Sequence, residues 1–181
     1  MDERNASEIT PRKNPTAVER KSERELVVTR TVNGPARLVF QAWTRAELFS
    51  RWWVPKSFGL TLLSCDMDVR VGGGYRLVFS HQGSTMEFFG TYLEVTPHSR
   101  LVWTNDEGDA GTTVTTVTFD ENDGKTLLVV HDLYPSKEAL DAAVAAGSTG
   151  GLPEQLDELD ELLISLESSL ESSPESGTAT K

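Results

Sequence analysis

Between Gly59 and Leu133 the chain reads as six strand-forming segments joined by connections too short to let neighbouring strands run parallel. The segments are Leu60–Asp68, Tyr75–Ser80, Thr85–Val95, Arg100–Asn105, Thr112–Asp120 and Thr126–Leu133. They are rich in β-branched and aromatic residues. Turn signals separate them: Gly72-Gly73-Gly74, Gln82-Gly83-Ser84, Thr96-Pro97-His98 and Asn122-Asp123-Gly124. Parallel neighbours need crossovers of a dozen or more residues, so these strands make an antiparallel meander. An earlier segment, Glu25–Val32, alternates and is β-branched, which adds a further strand.

Helices must cover that sheet. Pro35 suits the first position of a helix, and Ala36, Val39, Phe40 and Trp43 recur on one face of it. Thr44-Arg45-Ala46-Glu47 matches a capping box, which predicts a second short helix from Thr44 with Leu48, Phe49 and Trp52 on its apolar side. That helix runs into Trp52-Trp53 before Pro55, a costly pair that reads as the wall of a hollow or a corner closing a core. Ser136 caps a predicted helix to Ala146, and Gly147, Gly150 and Gly151 interrupt it before Pro153 restarts one. Leu152, Leu156, Leu159, Leu163, Leu166 and Leu170 then form a continuous seam with acids on the other side. A helix over Leu152–Leu166 is ~22 Å long, enough to lie across a sheet. Under three heptads is short for a coiled coil, so the seam is expected to pack on the chain's own sheet.

The ends differ from the middle. Residues 1–23 are polar, carry Pro11 and Pro15 and show no periodicity, so they read as a flexible arm. Residues 24–167 form the domain, and residues 168–181 read as a loose acidic, Ser-rich tail. The formal net charge of -11 argues against nucleic-acid and anionic-membrane partners. After Gly151 there are eight acids against Lys181 alone, read as a solvated helix face. No apolar run approaches the ~20 residues of a membrane span. Met1–Arg24 has no apolar stretch of a secretory signal, so a cytoplasmic location is the expectation. The single cysteine, Cys65, allows neither an intramolecular disulfide nor a cysteine metal site.

Five blocks in order carry a family resemblance. They are the first strand and helix with Pro35, Val39, Phe40, Trp43 and Thr44; Arg51-Trp52-Trp53; Asp68–Gly73; Gly90–Thr104; and Gly147–Leu163. Over residues 24–167 the chain resembles the SRPBCC superfamily (START/Bet v 1-like, helix-grip). It is most similar to the branch named after the C-terminal domain of the activator of Hsp90 ATPase. The resemblance implies an α+β helix-grip fold, with a curved seven-stranded antiparallel sheet around a long C-terminal helix and two short helices after the first strand. It also implies a cavity between sheet and helix for an apolar or amphipathic small molecule. A chaperone is the second partner class it implies, and a polyketide cyclase/aromatase-like enzyme is a third reading. Only about 23 polar residues precede the first strand, so a separate N-terminal chaperone-engaging domain such as the eukaryotic namesake carries is not expected.

Chemistry-bearing motifs are sparse. Gly72-Gly73-Gly74 lacks the phosphate-loop pattern and reads as a turn. Asp66 and Asp68 beside Arg70 read as a solvated ion-pair cluster. His81, His98 and His131 are far apart, so no metal or cofactor site is expected. Alternation in Leu127–Leu133 puts His131 and Asp132 on opposite faces; placing charged Asp132 outward turns His131 inward, to a core partner or a ligand. The aromatics are the strongest set. Trp43, Trp52, Trp53 and Phe58 from the helical part, and Phe79, Phe88, Trp103 and Phe119 from the strands, are expected with His131 to line the cavity. The function expected is therefore a non-catalytic small-molecule-binding module, monomeric or weakly dimeric.

Overall fold

A computed structural model describes residues 14–171. Eight strands are present: β1 (Thr16–Arg20), β2 (Glu25–Val32), β3 (Thr61–Met67), β4 (Gly74–His81), β5 (Ser84–Thr96), β6 (Arg100–Asn105), β7 (Thr113–Asn122) and β8 (Lys125–Leu133). They form one antiparallel sheet in the order β1-β2-β8-β7-β6-β5-β4-β3. The helices are α1 (Ala36–Thr44), α2 (Ala46–Trp52), α3 (Lys137–Ala145) and α4 (Leu152–Glu171), with single 3-10 turns at Lys56–Phe58 and Ser148–Gly150. This is the helix-grip arrangement, with α4 gripped by a curved sheet.

The sheet curls where β5 changes partner. Its first half, Ser84–Thr91, pairs with β4, and Tyr92–Thr96 pairs with β6. Gly90 sits at the change, where an added Cβ would lie 1.7 Å from the Thr104 carbonyl oxygen. Only glycine allows that approach.

The strand count is eight rather than seven because β1 lies within the segment expected to be a flexible arm. Thr16–Arg20 pairs with Leu26–Arg30. Its side chains are mostly exposed, Val18 included, so it has no apolar alternation to read. Backbone pairing holds it, together with Arg20 to Asp141 of α3 at 2.7 Å and Arg30 Nη1 donating to Thr16 Oγ1 at 2.9 Å. The rest of the arm before residue 14, and the tail beyond Glu171, lie outside the described residues; Ser168–Glu171 continue α4.

The capping-box expectation also fails. α1 runs through Thr44, whose hydroxyl donates to the Phe40 carbonyl at 2.8 Å, and α2 starts at Ala46 with no side-chain cap. A hydroxyl bonded back into the preceding turn cannot cap the next helix. Ser136 does cap α3, accepting from the Ala139 amide at 3.1 Å.

The core is a cross-strand row, Val28–Val130–Val117–Leu101, under α1 and α4. Leu156, Leu159 and Leu163 of the seam are fully buried there, Leu152 and Leu166 are half-buried, and Leu170 is exposed. The acids of α4 are not all solvated. Arg30 is buried on the inner face of β2; its Nη1 reaches Asp157 Oδ1 at 2.7 Å and its Nη2 reaches Asp160 Oδ2 at 2.5 Å. Asp160 Oδ1 also accepts from the Asn33 amide at 2.8 Å. Asp160 follows Leu156 by one helical turn, so it flanks the seam and meets the sheet. A buried guanidinium without such partners would be prohibitively costly.

Candidate functional site

One pleat beyond the core row, the same inner face carries Leu26, Asp132, Thr115, Trp103 and Tyr92 in register across β2, β8, β7, β6 and β5. This row faces a partly open cavity of about 1130 Å³, roofed by α3, the Ser148–Gly150 turn and the end of α2. α3 presents Ala139, Ala142, Ala143 and Ala146 to it, side chains too small to fill the space. The volume is slightly above the usual range of ~300–1,000 Å³ for small-molecule sites.

Six of the expected aromatics line this cavity: Trp43, Trp53, Phe58, Phe79, Phe88 and Trp103. The Trp43 ring lies 5.7 Å from that of Trp53 and 5.9 Å from that of Trp103. Phe79 and Phe88 meet edge to face at 5.4 Å on the facing wall. Trp52 does not line it. That residue is fully buried behind Trp43, and its Nε1 donates to the Ala42 carbonyl at 2.9 Å. Consecutive residues near a helix end point in different directions, so one Trp of the pair closes the core and the other faces the hollow. Phe119 is core as well, packed against Phe40 and Trp43.

His131 is a correction. It lies on the outer face, about one third exposed, with Nε2 2.9 Å from Glu25 Oε1. This pairing holds the Glu25 carboxyl below its ordinary range. The inward residue is Asp132. Parity along β8 is set by Leu128 and Val130, whose partners Arg30 and Val28 face the core, and it carries through to position 132. The charge of Asp132 was a poor guide because the strand's end borders a cavity with polar partners.

Those partners form a directed chain that the sequence did not reveal. The Tyr75 hydroxyl lies 2.9 Å from both the Thr104 carbonyl and Asn105 Oδ1, and Trp103 Nε1 donates to Asn105 Oδ1 at 3.3 Å. Asn105 Nδ2 donates to the Thr113 carbonyl at 3.2 Å and to Thr115 Oγ1 at 2.9 Å. The Thr115 hydroxyl, with its lone pair so used, donates to Asp132 Oδ1 at 2.5 Å. Burial raises the Asp132 carboxyl above its ordinary value, against the opposing effects of Thr115 and, more weakly, His131. Asp132 is only half-buried by accessible surface, yet protein surrounds it on nearly every side, because the surface it keeps faces the cavity. Burial likewise raises Glu107, and pushes Tyr134 up to about 12. The signal for this network was the register of the Thr-rich β7 against the polar ends of β6 and β8.

Other candidates fall away from this site. Gly72 is left-handed (φ 82°) and its neighbours turn the chain from β3 to β4. Asp68 pairs with Arg70 at 2.9 Å in solvent. His98 packs edge-on to Phe40 at 5.6 Å, and His81 reaches the cavity from the end of β4. Among the described residues, no group of three or more His, Cys, Asp or Glu side chains could hold a metal ion. No helix among them is long and apolar enough to cross a membrane.

The family model described as "Activator of Hsp90 ATPase homolog 1-like protein" matches residues 33–164. The chain belongs to this family, within the SRPBCC superfamily. The match takes in both helices of the corner, strands β3–β8 and most of α4. Solved structures with the same fold include a protein from Nitrosomonas europaea, 23% identical over 82% of this chain and 99% of that one, with a TM-score of 0.73. A protein from Rhodobacter sphaeroides is 23% identical over 83% of this chain and 99% of that one, with a TM-score of 0.77. A third, from Mycobacterium smegmatis, is 21% identical over 82% and 97%, with a TM-score of 0.73. At these identities the likeness is one of fold. Comparison with curated proteins gave no match.

Proposed function

We propose that this member of the family is a binding module that holds an apolar or amphipathic small molecule between the sheet and α3. The observation that carries the reading is the unfilled space of about 1130 Å³ walled by Trp43, Trp53, Phe79, Phe88 and Trp103. Water against such walls is poorly satisfied, and each methylene moved into them gains ~0.8 kcal/mol. A twelve-carbon chain therefore gains ~10 kcal/mol gross, which exceeds the ~4 kcal/mol low end of the cost of association. The test is a titration with dodecanol, uncharged and apolar, followed by tryptophan emission. Saturable one-to-one binding is expected; no response up to the solubility limit of the probe refutes the reading.

The family description favours a second reading, a chaperone ATPase-activating cofactor. It predicts that chaperone ATPase stimulation survives when the cavity is blocked, for example by Ala142→Trp. The catalytic reading loses His131 as its base, since that residue lies on the outer face, and keeps the cavity-facing Asp132 as its acid-base candidate.

A further inference from the structure

Among the described residues, the cavity wall carries acids and no lysine or arginine. Glu107, Asp109 and Asp132 line it near the ends of β6 and β8, and the one imidazole, His81, enters from β4. β4 is four strands away from β8 in the sheet. Asp132 stands on the sheet itself, whereas Glu107 and Asp109 lie beyond the end of β6. The Oδ1 of Asp132 is held by Thr115, while its Oδ2 has no hydrogen-bond partner among the described residues. The nearest imidazole to it, His131, lies across the sheet and is engaged by Glu25. β2 presents Leu26 to Asp132 and β7 presents Thr115, while α3 lines the cavity with alanines; none of these brings a cation.

We infer that the cavity selects an organic cation, an apolar body carrying one ammonium group, with the ammonium against Asp132 and the body along Trp43, Trp53 and Trp103. This rests on the ligand-binding reading above. Two physical effects favour the cation. A charge-assisted hydrogen bond to Asp132 Oδ2 supplies the partner that this oxygen lacks. Indole faces also attract an ammonium within about 6 Å of their centroids, and Trp103 stands next but one to Asp132 along the same cross-strand row. A carboxylate ligand has the opposite fate. Its head would meet Asp132 and Glu107 in a site with no guanidinium or ammonium to pair it, and an unpaired buried charge is costly. The fatty-acid class is thereby disfavoured and the amphipathic amine class favoured.

The experiment compares three probes with one body, each below its micelle concentration or solubility limit: dodecylammonium, dodecanol and dodecanoate. Calorimetry is run at neutral pH on the full chain, on Asp132→Asn and on Glu107→Gln. Asn keeps the acceptor for Thr115, and circular dichroism checks that each variant folds. The expected result is that the cation binds at least about ten-fold tighter than dodecanoate, a difference of ~1.4 kcal/mol. Asp132→Asn should shrink that ratio about ten-fold while changing dodecanol affinity less than two-fold. Should Asp132→Asn misfold, Glu107→Gln is expected to reduce the ratio in the same direction by a smaller factor. Three results overturn the inference: dodecanoate binding as tightly as the cation, a ratio unchanged in both variants, or a preference that salt abolishes but the variants do not. The last would locate the attraction on the acidic exterior. Dodecanol binding without a cation preference sinks this inference alone, whereas failure of all three probes to bind sinks the ligand reading itself.

Discussion

Replacing Asp160 by Ala tests how α4 is held to the sheet. The substitution removes the 2.5 Å bond to Arg30 Nη2 and the 2.8 Å bond from the Asn33 amide. Arg30 stays buried, with only Asp157 left to neutralise it from a more exposed position. Breaking a buried pair by removing one partner costs ~3–5 kcal/mol, because the other charge is left uncompensated. A domain of this size has ~5–15 kcal/mol of stability, so the variant folds with much of its margin gone. At ~2–4 °C per kcal/mol the melting temperature drops by ~6–20 °C. The assay is urea unfolding with thermal melts, read by circular dichroism. A paired change, Arg30→Met with Asp160→Leu, should recover most of the loss, since a well-packed apolar pair can replace a buried ion pair at little cost. A loss below ~1 kcal/mol in Asp160→Ala would refute the reasoning and return Asp160 to the solvated face that its sequence suggested.

Truncation at Gly151 should abolish folding: Leu156, Leu159, Leu162 and Leu163 are buried, and losing each costs ~2–5 kcal/mol, more in total than the domain has. Deleting residues 1–22 removes β1 and its tie to Asp141, and should lower stability by about 1–3 kcal/mol in urea unfolding; an unchanged midpoint would show that β1 contributes nothing. His131→Gln should leave both the urea midpoint and dodecanol affinity nearly unchanged, because the Glu25 pair is on the surface; a clear loss of either contradicts that placement. For Asp132 the folded carboxyl holds its proton more tightly than the unfolded one, so its contribution is full below the ordinary value of 3.8 and is lost as pH rises through the raised folded value. Glu25, held low by His131, has the opposite sign, so the test is the difference between Asp132→Asn and the unaltered protein across pH 4–8. The variant should gain relative stability as pH rises; a flat or falling difference contradicts the burial of that carboxyl.

Much of the fold was legible because one face of the sheet must be dry. Alternation in Glu25–Val32, turn residues between strands and the Leu156–Leu159–Leu163 spacing each carry a burial requirement that a sequence records directly. β1 carries none: it is an edge strand with exposed side chains, and backbone pairing leaves no mark in the sequence. The site was legible only in part for a related reason. Aromatic residues announce that they leave water, but not whether they meet a core or a hollow, which is why Trp52 and Trp53 could not be separated. Charge is a poor proxy for exposure at His131 and Asp132, where the carboxylate faces the cavity and the imidazole faces outward. That assignment follows only from the register of β8 with β2 and β7, which Val28, Arg30 and Thr115 set.

The central claim is that the space beneath α3 takes an apolar ligand. The indole N–H resonances of Trp43, Trp52, Trp53 and Trp103 report on it separately, since three of these rings line the cavity and one does not. During a dodecanol titration followed by nitrogen-edited NMR, the account predicts saturable shifts at Trp43, Trp53 and Trp103, while Trp52, hydrogen-bonded to Ala42, stays nearly still. Four unmoved indoles, or a shift confined to Trp52, would contradict it.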